Sequence, residues 1–265
     1  MELTGKVVVV TGAARGIGFA LAERFLAEGA AGVSVVDLNP ADCAAAAARL
    51  GERAYDLAAD VSDEQDVISV VERTVERFGP IDVFASNAGI GTAQGIHAPN
   101  ETWQRIWDVN VMAHVYAARA VIPSMIERGG GYLLNTASAA GLLVQVGDAS
   151  YTATKHAAVG LAEWLSITYG DRGIKVSCLC PQGVNTDMMT GAASGNVTST
   201  VAAQGVIEPE DVAQAVVEGM AAERFLILPH PEVATYQQRK ATDPDRWLAG
   251  MRRLQARFFG EGPSR

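Results

Sequence analysis

Val7-Val8-Val9-Val10-Thr11-Gly12-Ala13-Ala14-Arg15-Gly16-Ile17-Gly18-Phe19-Ala20-Leu21 is the stretch that decides the fold. Four consecutive valines read as a strand covered on both faces. The run passes directly into a glycine-rich turn, and then into a helix that places Ile17, Leu21 and Phe25 on one face. Glycines at such a turn permit a tight reversal, let the backbone approach a phosphate, and allow the helix to pack closely on the strand. The free N–H groups and the helix dipole there favour an anion. On this segment alone, a plain strand-to-helix turn without a ligand is the lesser alternative.

The same alternation continues outward. Further strands are expected at Val33–Asp37, Ala54–Asp60, Ile81–Asn87, Tyr132–Ala137, Val176–Cys180 and Phe225–Leu228. Helix starts are visible between them: Asn39–Pro40 supplies an N-cap and a first-turn proline, and Ser62-x-x-Gln65 reads as a capping box. Val67, Val71, Val75 and Phe78 form an apolar stripe after Ser62. Seven strands separated by helices imply right-handed crossovers, and so an α/β fold: a doubly wound, Rossmann-type parallel sheet. No Pro/Gly/Ser linker divides the chain, so residues 1–265 are expected to form one domain. The Gly/Ala/Ser/Thr-rich stretch within 187–206 is expected to be a mobile lid. The extension 229–265 is expected to end in a helix capped by Asp243, with Trp247, Met251, Leu254 and Phe258 on a face that packs either on its own subunit or on a neighbour.

Composition narrows the function. Of 265 residues, 49 % are apolar and 19 % charged, which excludes a disordered chain. With 21 basic against 30 acidic residues the net charge is −9, and no basic patch offsets it, so nucleic-acid binding is not expected. The longest uncharged run, from Gly129 to Gly147, is interrupted by glycines and by Asn135, Thr136, Ser138 and Gln145, and no membrane span is expected. Cys43, Cys178 and Cys180 are expected to be buried reduced thiols, which points to the cytoplasm. His97, His114, His156 and His230 show no ligand spacing, so no metal site is expected.

The second strand ends in Asp37, about 20 residues beyond the glycine turn, where a carboxylate can hold the ribose of a dinucleotide. A carboxylate there also repels a 2′-phosphate, so NAD is expected. Arg15 in the glycine turn is the contrary signal, which keeps NADP open. Further on, Tyr151 and Lys155 stand four apart on a helix and share a face. A phenol titrates near pH 10, and a nearby ammonium is expected to lower that value toward neutrality.

Taken together, these residues resemble the short-chain dehydrogenases/reductases. The resemblance rests on an ordered set: Gly12, Arg15, Gly16, Ile17 and Gly18 in the glycine turn; Asp60-Val61; Asn87-Ala88-Gly89; Asn110; then Ser138, Tyr151 and Lys155; and Pro181, Val184 and Thr186 after the sixth strand. It implies hydride transfer between a nicotinamide cofactor and an alcohol/ketone pair. Tyr151 would then be the acid/base, Ser138 the hydrogen bond to the substrate oxygen, and Lys155 the holder of the nicotinamide ribose. Asn110 would anchor a water on the proton path, and Asp60-Val61 would contact the adenine. It also implies a homotetramer, or a dimer. Gln182 stands where the family usually has glycine, which puts pocket geometry in doubt, and Ser86 replaces the usual asparagine. Gln145, Gln182 and Met188 are substrate-contact candidates, with Leu142, Leu143 and Val144 as an apolar wall, so an apolar secondary alcohol is expected. An NADPH-dependent reductase and a non-catalytic NAD(H)-binding regulator or scaffold remain as alternatives.

Overall fold

A computed structural model describes residues 1–190, 197, 199–200 and 205–260. Its central sheet is formed by β1 (Val7–Thr11), β2 (Gly32–Asp37), β3 (Ala54–Ala58), β4 (Val83–Ser86), β5 (Gly131–Thr136), β6 (Ile174–Leu179) and β7 (Leu226–Ile227). The strands are parallel and run in the spatial order β3-β2-β1-β4-β5-β6-β7. Several are shorter than expected; the seventh keeps only the two residues that pair with Cys178 and Leu179. The strand order reverses direction between β1 and β4, and the crevice beyond their carboxyl ends is where such sheets bind ligands.

The valines of β1 show why the sheet is covered twice. Val7 and Val9 enter one apolar cluster, with Leu57, Phe84 and Leu133; Val8 and Val10 enter the other, with Val33, Val35 and Leu134. Helices α1 (Gly16–Ala27), α2 (Pro40–Leu50) and α6 (Pro209–Ala221) supply the second cluster through Leu21, Phe25, Ala46, Val212 and Met220. Helices α3 (Glu64–Phe78), α4 (Asn100–Glu127) and α5 (Ala149–Tyr169) supply the first through Val67, Val70, Val121, Met125, Ala158 and Leu165. Helix α4 is long and apolar enough to cross a membrane, but its inner face is packed into this core.

Asn39 caps α2 as expected, accepting from the Ala41 N–H with Pro40 behind it. The cap of α3 is Asp63, not Ser62: Asp63 accepts from the Gln65 N–H, while the Ser62 hydroxyl donates to Asp60. A carboxylate one residue nearer the helix outcompetes the hydroxyl. The stripe on α3 is rotated accordingly: Val67, Val70 and Thr74 are buried, Val71 and Phe78 flank them, and Val75 is exposed. Thr74 is buried at no polar cost because its hydroxyl donates to Val70 O and meets Ser34 Oγ at 2.8 Å.

The C-terminal extension contains two helices, α7 (Glu232–Thr242) and α8 (Pro244–Phe259), the second capped by Asp243 as expected. Val233, Tyr236 and Trp247 pack on the chain's own core, while Met251, Leu254 and Phe258 are half-buried. Of the 187–206 segment expected as a lid, residues 191–196, 198 and 201–204 lie outside the described residues.

Candidate active site

The glycine turn is held from beneath by β4. Thr11 Oγ1 accepts the N–H groups of Asn87 (2.9 Å) and Ala88 (3.0 Å), and the Asn87 amide donates back to Thr11 O. Asn87 thus ties two strand ends together, and its side chain faces the turn's backbone. Gly12 has φ +65°, and a Cβ there would lie 2.9 Å from Ala88 Cα; a Cβ on Gly18 would lie 2.0 Å from Gly12 O. Any side chain at either place would push the turn off its support. Arg15 occupies the N-cap of α1 without a side-chain cap, and the first turn carries no acid. The leading N–H groups therefore remain available to an anion, the donor set that a pyrophosphate requires.

Around that turn lies an open cleft of about 280 Å³ whose lining includes Arg15, Gly16, Phe19, Arg49 and Thr186. Beside the turn, Asp37 Oδ2 accepts the Ala14 N–H (3.1 Å) and Oδ1 the Leu38 N–H (2.8 Å). This fixes the carboxylate at the end of β2, facing the turn. Arg15 pairs with Asp187 at 3.6 Å across two exposed side chains. Asp60 accepts from the Ser62 N–H and hydroxyl and pairs with Arg105 at 3.1 Å; these contacts outweigh its partial burial and hold the carboxyl below the usual range. Val61 packs beside it with Ala88, Val109 and Ala113, and Ile17 packs on the core from α1. The residues present fit a dinucleotide.

The reacting candidates meet at the carboxyl ends of β4 and β5. Asn110 lies in a π-turn of α4 (Asp108–Met112), fully buried, and grips Ile90 with both ends of its amide at 2.9 Å. The same amide donates to Thr154 Oγ1 on α5. Gly89 stands between Asn110 and Lys155: a Cβ there would lie 3.3 Å from both Asn110 Oδ1 and Lys155 Nζ. Lys155 is buried, and its ammonium donates to Thr136 O at 3.1 Å and lies 5.6 Å from the centre of the Tyr151 ring. Ser138 is buried at the start of the next loop, where its hydroxyl accepts the Ala140 N–H and donates to Pro181 O at 3.4 Å.

The electrostatics correct one expectation. Burial pushes the Tyr151 phenol up to about 12, although the Ser138 hydrogen bond opposes it, and burial pushes the Lys155 ammonium down to about 8. Without a bound ligand, the ammonium has lost its proton before the phenol begins to titrate. In the ligand-free site, burial thus outweighs the pull of the ammonium on the phenol.

Sequence reasoning missed two residues that build this site. Asp148, 3 % exposed, caps α5 and accepts five hydrogen bonds: from Tyr151 N, Ser150 Oγ, Thr92 N, Thr92 Oγ1 and Ala93 N. It joins the loop after β4 to the first turn of α5. The readable signal was an aspartate immediately before a helix. His230 supports the departure at Gln182. Its Nδ1 accepts the Gln182 N–H (3.2 Å), so the proton sits on Nε2, which donates to Gly183 O at 3.0 Å. Burial keeps this ring's pKa below its ordinary value. No sequence spacing links residues 182 and 230.

The remaining candidates divide. Val184 is buried and pairs with Ile207 in a two-residue ladder, and Thr186 donates to Val184 O. Gly16 approaches Thr186 so closely that a Cβ would lie 3.1 Å from its methyl. Leu142 and Leu143 belong to the core; of the expected apolar wall, Val144 is exposed. The Gln145 amide donates to Val146 O and, at 3.5 Å, to Thr200 Oγ1, which ties it to its own loop and the segment above. Met188 is exposed on the single helical turn Asp187–Thr190. Cys43, Cys178 and Cys180 are buried free thiols, as expected. Among the described residues, no cluster of His, Cys, Asp or Glu could hold a metal.

Known proteins resemble this chain in sequence and fold. A family model described as short chain dehydrogenase matches residues 6–196. The 1-deoxy-11-beta-hydroxypentalenate dehydrogenase of Streptomyces exfoliatus is 36 % identical over 238 residues, covering 86 % of this chain and 84 % of its own. The 3beta-hydroxysteroid dehydrogenase 2 of Eggerthella lenta is 36 % identical over 195 residues, covering 71 % of this chain and 75 % of its own. A short chain dehydrogenase/reductase from Burkholderia phymatum, solved in complex with NAD, superposes with a TM-score of 0.85 at 27 % identity, covering 93 % of this chain and 96 % of that one.

Proposed function

The chain belongs to the short-chain dehydrogenase/reductase family, and from that premise we propose that it is an NAD-dependent oxidoreductase of apolar secondary alcohols and their ketones. The observation that carries the reading is the convergence of Ser138, Tyr151 and Lys155 at the open end of the sheet, beside an uncapped helix N-terminus. Bound nicotinamide supplies the carbon that accepts or gives the hydride. The protein's own groups do the rest. Tyr151 exchanges the proton of the substrate oxygen, and Ser138 donates a hydrogen bond to that oxygen as charge develops on it. Lys155 stabilises the phenolate and holds the ribose. Asn110, by fixing Ile90, keeps the floor of this site in place.

Two further features support the finer parts. The Asp37 carboxylate favours two ribose hydroxyls over a 2′-phosphate, and Asp187 draws Arg15 away from acting as a phosphate ligand. Two relatives are named as dehydrogenases of a hydroxypentalenate and a hydroxysteroid, and here the exposed Val144, six residues after Ser138, and Met188, two after Thr186, offer apolar surface to such an alcohol. Three buried free thiols favour a cytoplasmic setting. Tyr151→Phe tests the core of the proposal: hydride transfer falls by at least a thousandfold while NADH affinity stays within severalfold. Retained turnover would remove Tyr151 from the chemistry.

A further inference from the structure

Ser138 opens a short 3₁₀ turn (Ala139–Gly141) and caps it, its Oγ accepting the Ala140 N–H at 3.1 Å. That bond occupies a lone pair and leaves the O–H to point at an acceptor, which in this structure is Pro181 O. The turn closes on Ala139 O, which accepts the N–H groups of Leu142 (3.1 Å) and Leu143 (2.8 Å). It has no room to slide toward α5: a Cβ on Gly141 would lie 2.4 Å from Lys155 O and 2.9 Å from Val159 Cγ2. Beyond the turn, the carbonyls of Leu142 and Leu143 both meet one side chain, Lys240 in the last turn of α7, whose ammonium donates to them at 2.8 and 3.0 Å. Its third neighbour is His156 Nε2, at 3.4 Å, on the residue that follows Lys155. The Nδ1–H of that ring is then left to donate to Thr152 O at 2.9 Å.

An ammonium carries three N–H bonds, and three acceptors meet this one. Lys240 is half-buried, and among the described residues no carboxylate pairs with it. A lysine aimed at the last carbonyls of a turn, rather than at an acid, acts on the backbone. We propose that Lys240 is a positioning residue for hydride transfer: from a distant helix it caps the far end of the turn that Ser138 caps at its near end, and so fixes the Ser138 hydroxyl against Tyr151 and Lys155. The inference rests on the hydride-transfer reading above. Val233 and Tyr236 seat α7 in the apolar cluster that also holds Ala139, Leu142 and Val159, so the ammonium is carried on a fixed support. One side chain thus spans the two elements whose relative placement governs the reaction, the turn through two carbonyls and α5 through His156. A misplacement of about 1 Å between such elements costs on the order of a hundredfold in rate.

The test is a single turnover in the full-length protein. Enzyme saturated with NAD is mixed with whichever of propan-2-ol, cyclohexanol and a 3-hydroxysteroid the unaltered protein oxidises best, and the NADH formed is followed by its absorbance. In Lys240→Met the rate constant is expected to fall about ten- to a hundredfold, while the amplitude per NAD-binding site and the Kd for NAD stay within about twofold. Lys240→Arg, which still donates to the two carbonyls, should recover part of the rate. A lysine that served stability alone would lower the amplitude and leave the rate constant of the surviving enzyme unchanged. That result, or no change at all, would overturn the positioning role while leaving hydride transfer standing. If Lys240→Met does not fold, Lys240→Gln, which removes the charge and shortens the reach, is read by the same rate and amplitude. Failure of the unaltered protein to oxidise any of the three alcohols would overturn the functional reading, and the positioning role with it.

Discussion

Replacing Lys155 with methionine separates the two ways in which that lysine can matter. In the structure its ammonium lies 5.6 Å from the centre of the Tyr151 ring, with Lys155 buried and Tyr151 partly so. A unit-charge pair at that separation, in an effective dielectric near 20, is worth about 3 kcal/mol. That corresponds to about a hundredfold in the ionisation of the phenol. The sign follows from the pair's protons. The working form for alcohol oxidation is phenolate with ammonium, one proton fewer than phenol with ammonium, so a cation beside the ring lowers the pH at which that form appears. Without the cation, the phenolate forms alone against the burial that pushes it up to about 12. The assay is the pH profile of kcat/KM for the alcohol at saturating NAD, with the KM for NAD measured separately. In Lys155→Met the rising limb should lie about two pH units higher than in the unaltered protein, and activity at pH 7.5 should fall about a hundredfold. A limb at the same pH in both proteins, with the loss confined to the KM for NAD, would mean that Lys155 only binds cofactor.

Asp37→Ala should relax the choice of cofactor. A carboxylate about 4 Å from a phosphate charge costs roughly 4 kcal/mol in an effective dielectric near 20, and solvent at this open edge screens much of it. The NADP/NAD ratio of kcat/KM is therefore expected to rise ten- to a hundredfold, and an unchanged ratio would remove Asp37 from ribose recognition. The outer faces of α4 and α5 bear on assembly, because Trp107, Trp164 and Ile167 are exposed there and Ile167 is 82 % open. We propose that subunits meet on these faces. Sedimentation should show a tetramer or dimer, reduced in mass by Ile167→Asp; a monomer in the unaltered protein would contradict this.

What was legible in the sequence was whatever a short stretch encodes by itself. Four valines and three glycines spell out a strand, a turn and a helix because each choice acts on its own neighbours. The same holds for Asn39–Pro40, for Asp243 and for the spacing of Tyr151 and Lys155. Ser62 was misread because two adjacent residues can each cap α3, and the choice turned on Asp60, whose carboxylate had already engaged the Ser62 hydroxyl. The pKa of Tyr151 was misjudged for a different reason. Spacing shows that an ammonium is near, but not how deeply both groups are buried, and burial acts on them in opposite directions.

Contacts between distant segments left no mark that could be read in one dimension. His230 holds the backbone of Gln182 and Gly183, and Phe259 covers Gly147; both pairs form only once the sheet is closed. Gln182 shows the consequence most clearly. Its substitution for glycine suggested an altered pocket, and the structure instead shows a histidine in one tautomer accepting one backbone N–H and donating to the next carbonyl. Protonating that ring removes its only lone pair, so the loop that presents Val184 and Thr186 depends on His230 staying neutral. Burial secures this by lowering the ring's pKa. The pairing of Tyr151 with Lys155 was written locally, in one helix, whereas the contacts that hold Gln182 and Gly147 were written across the fold.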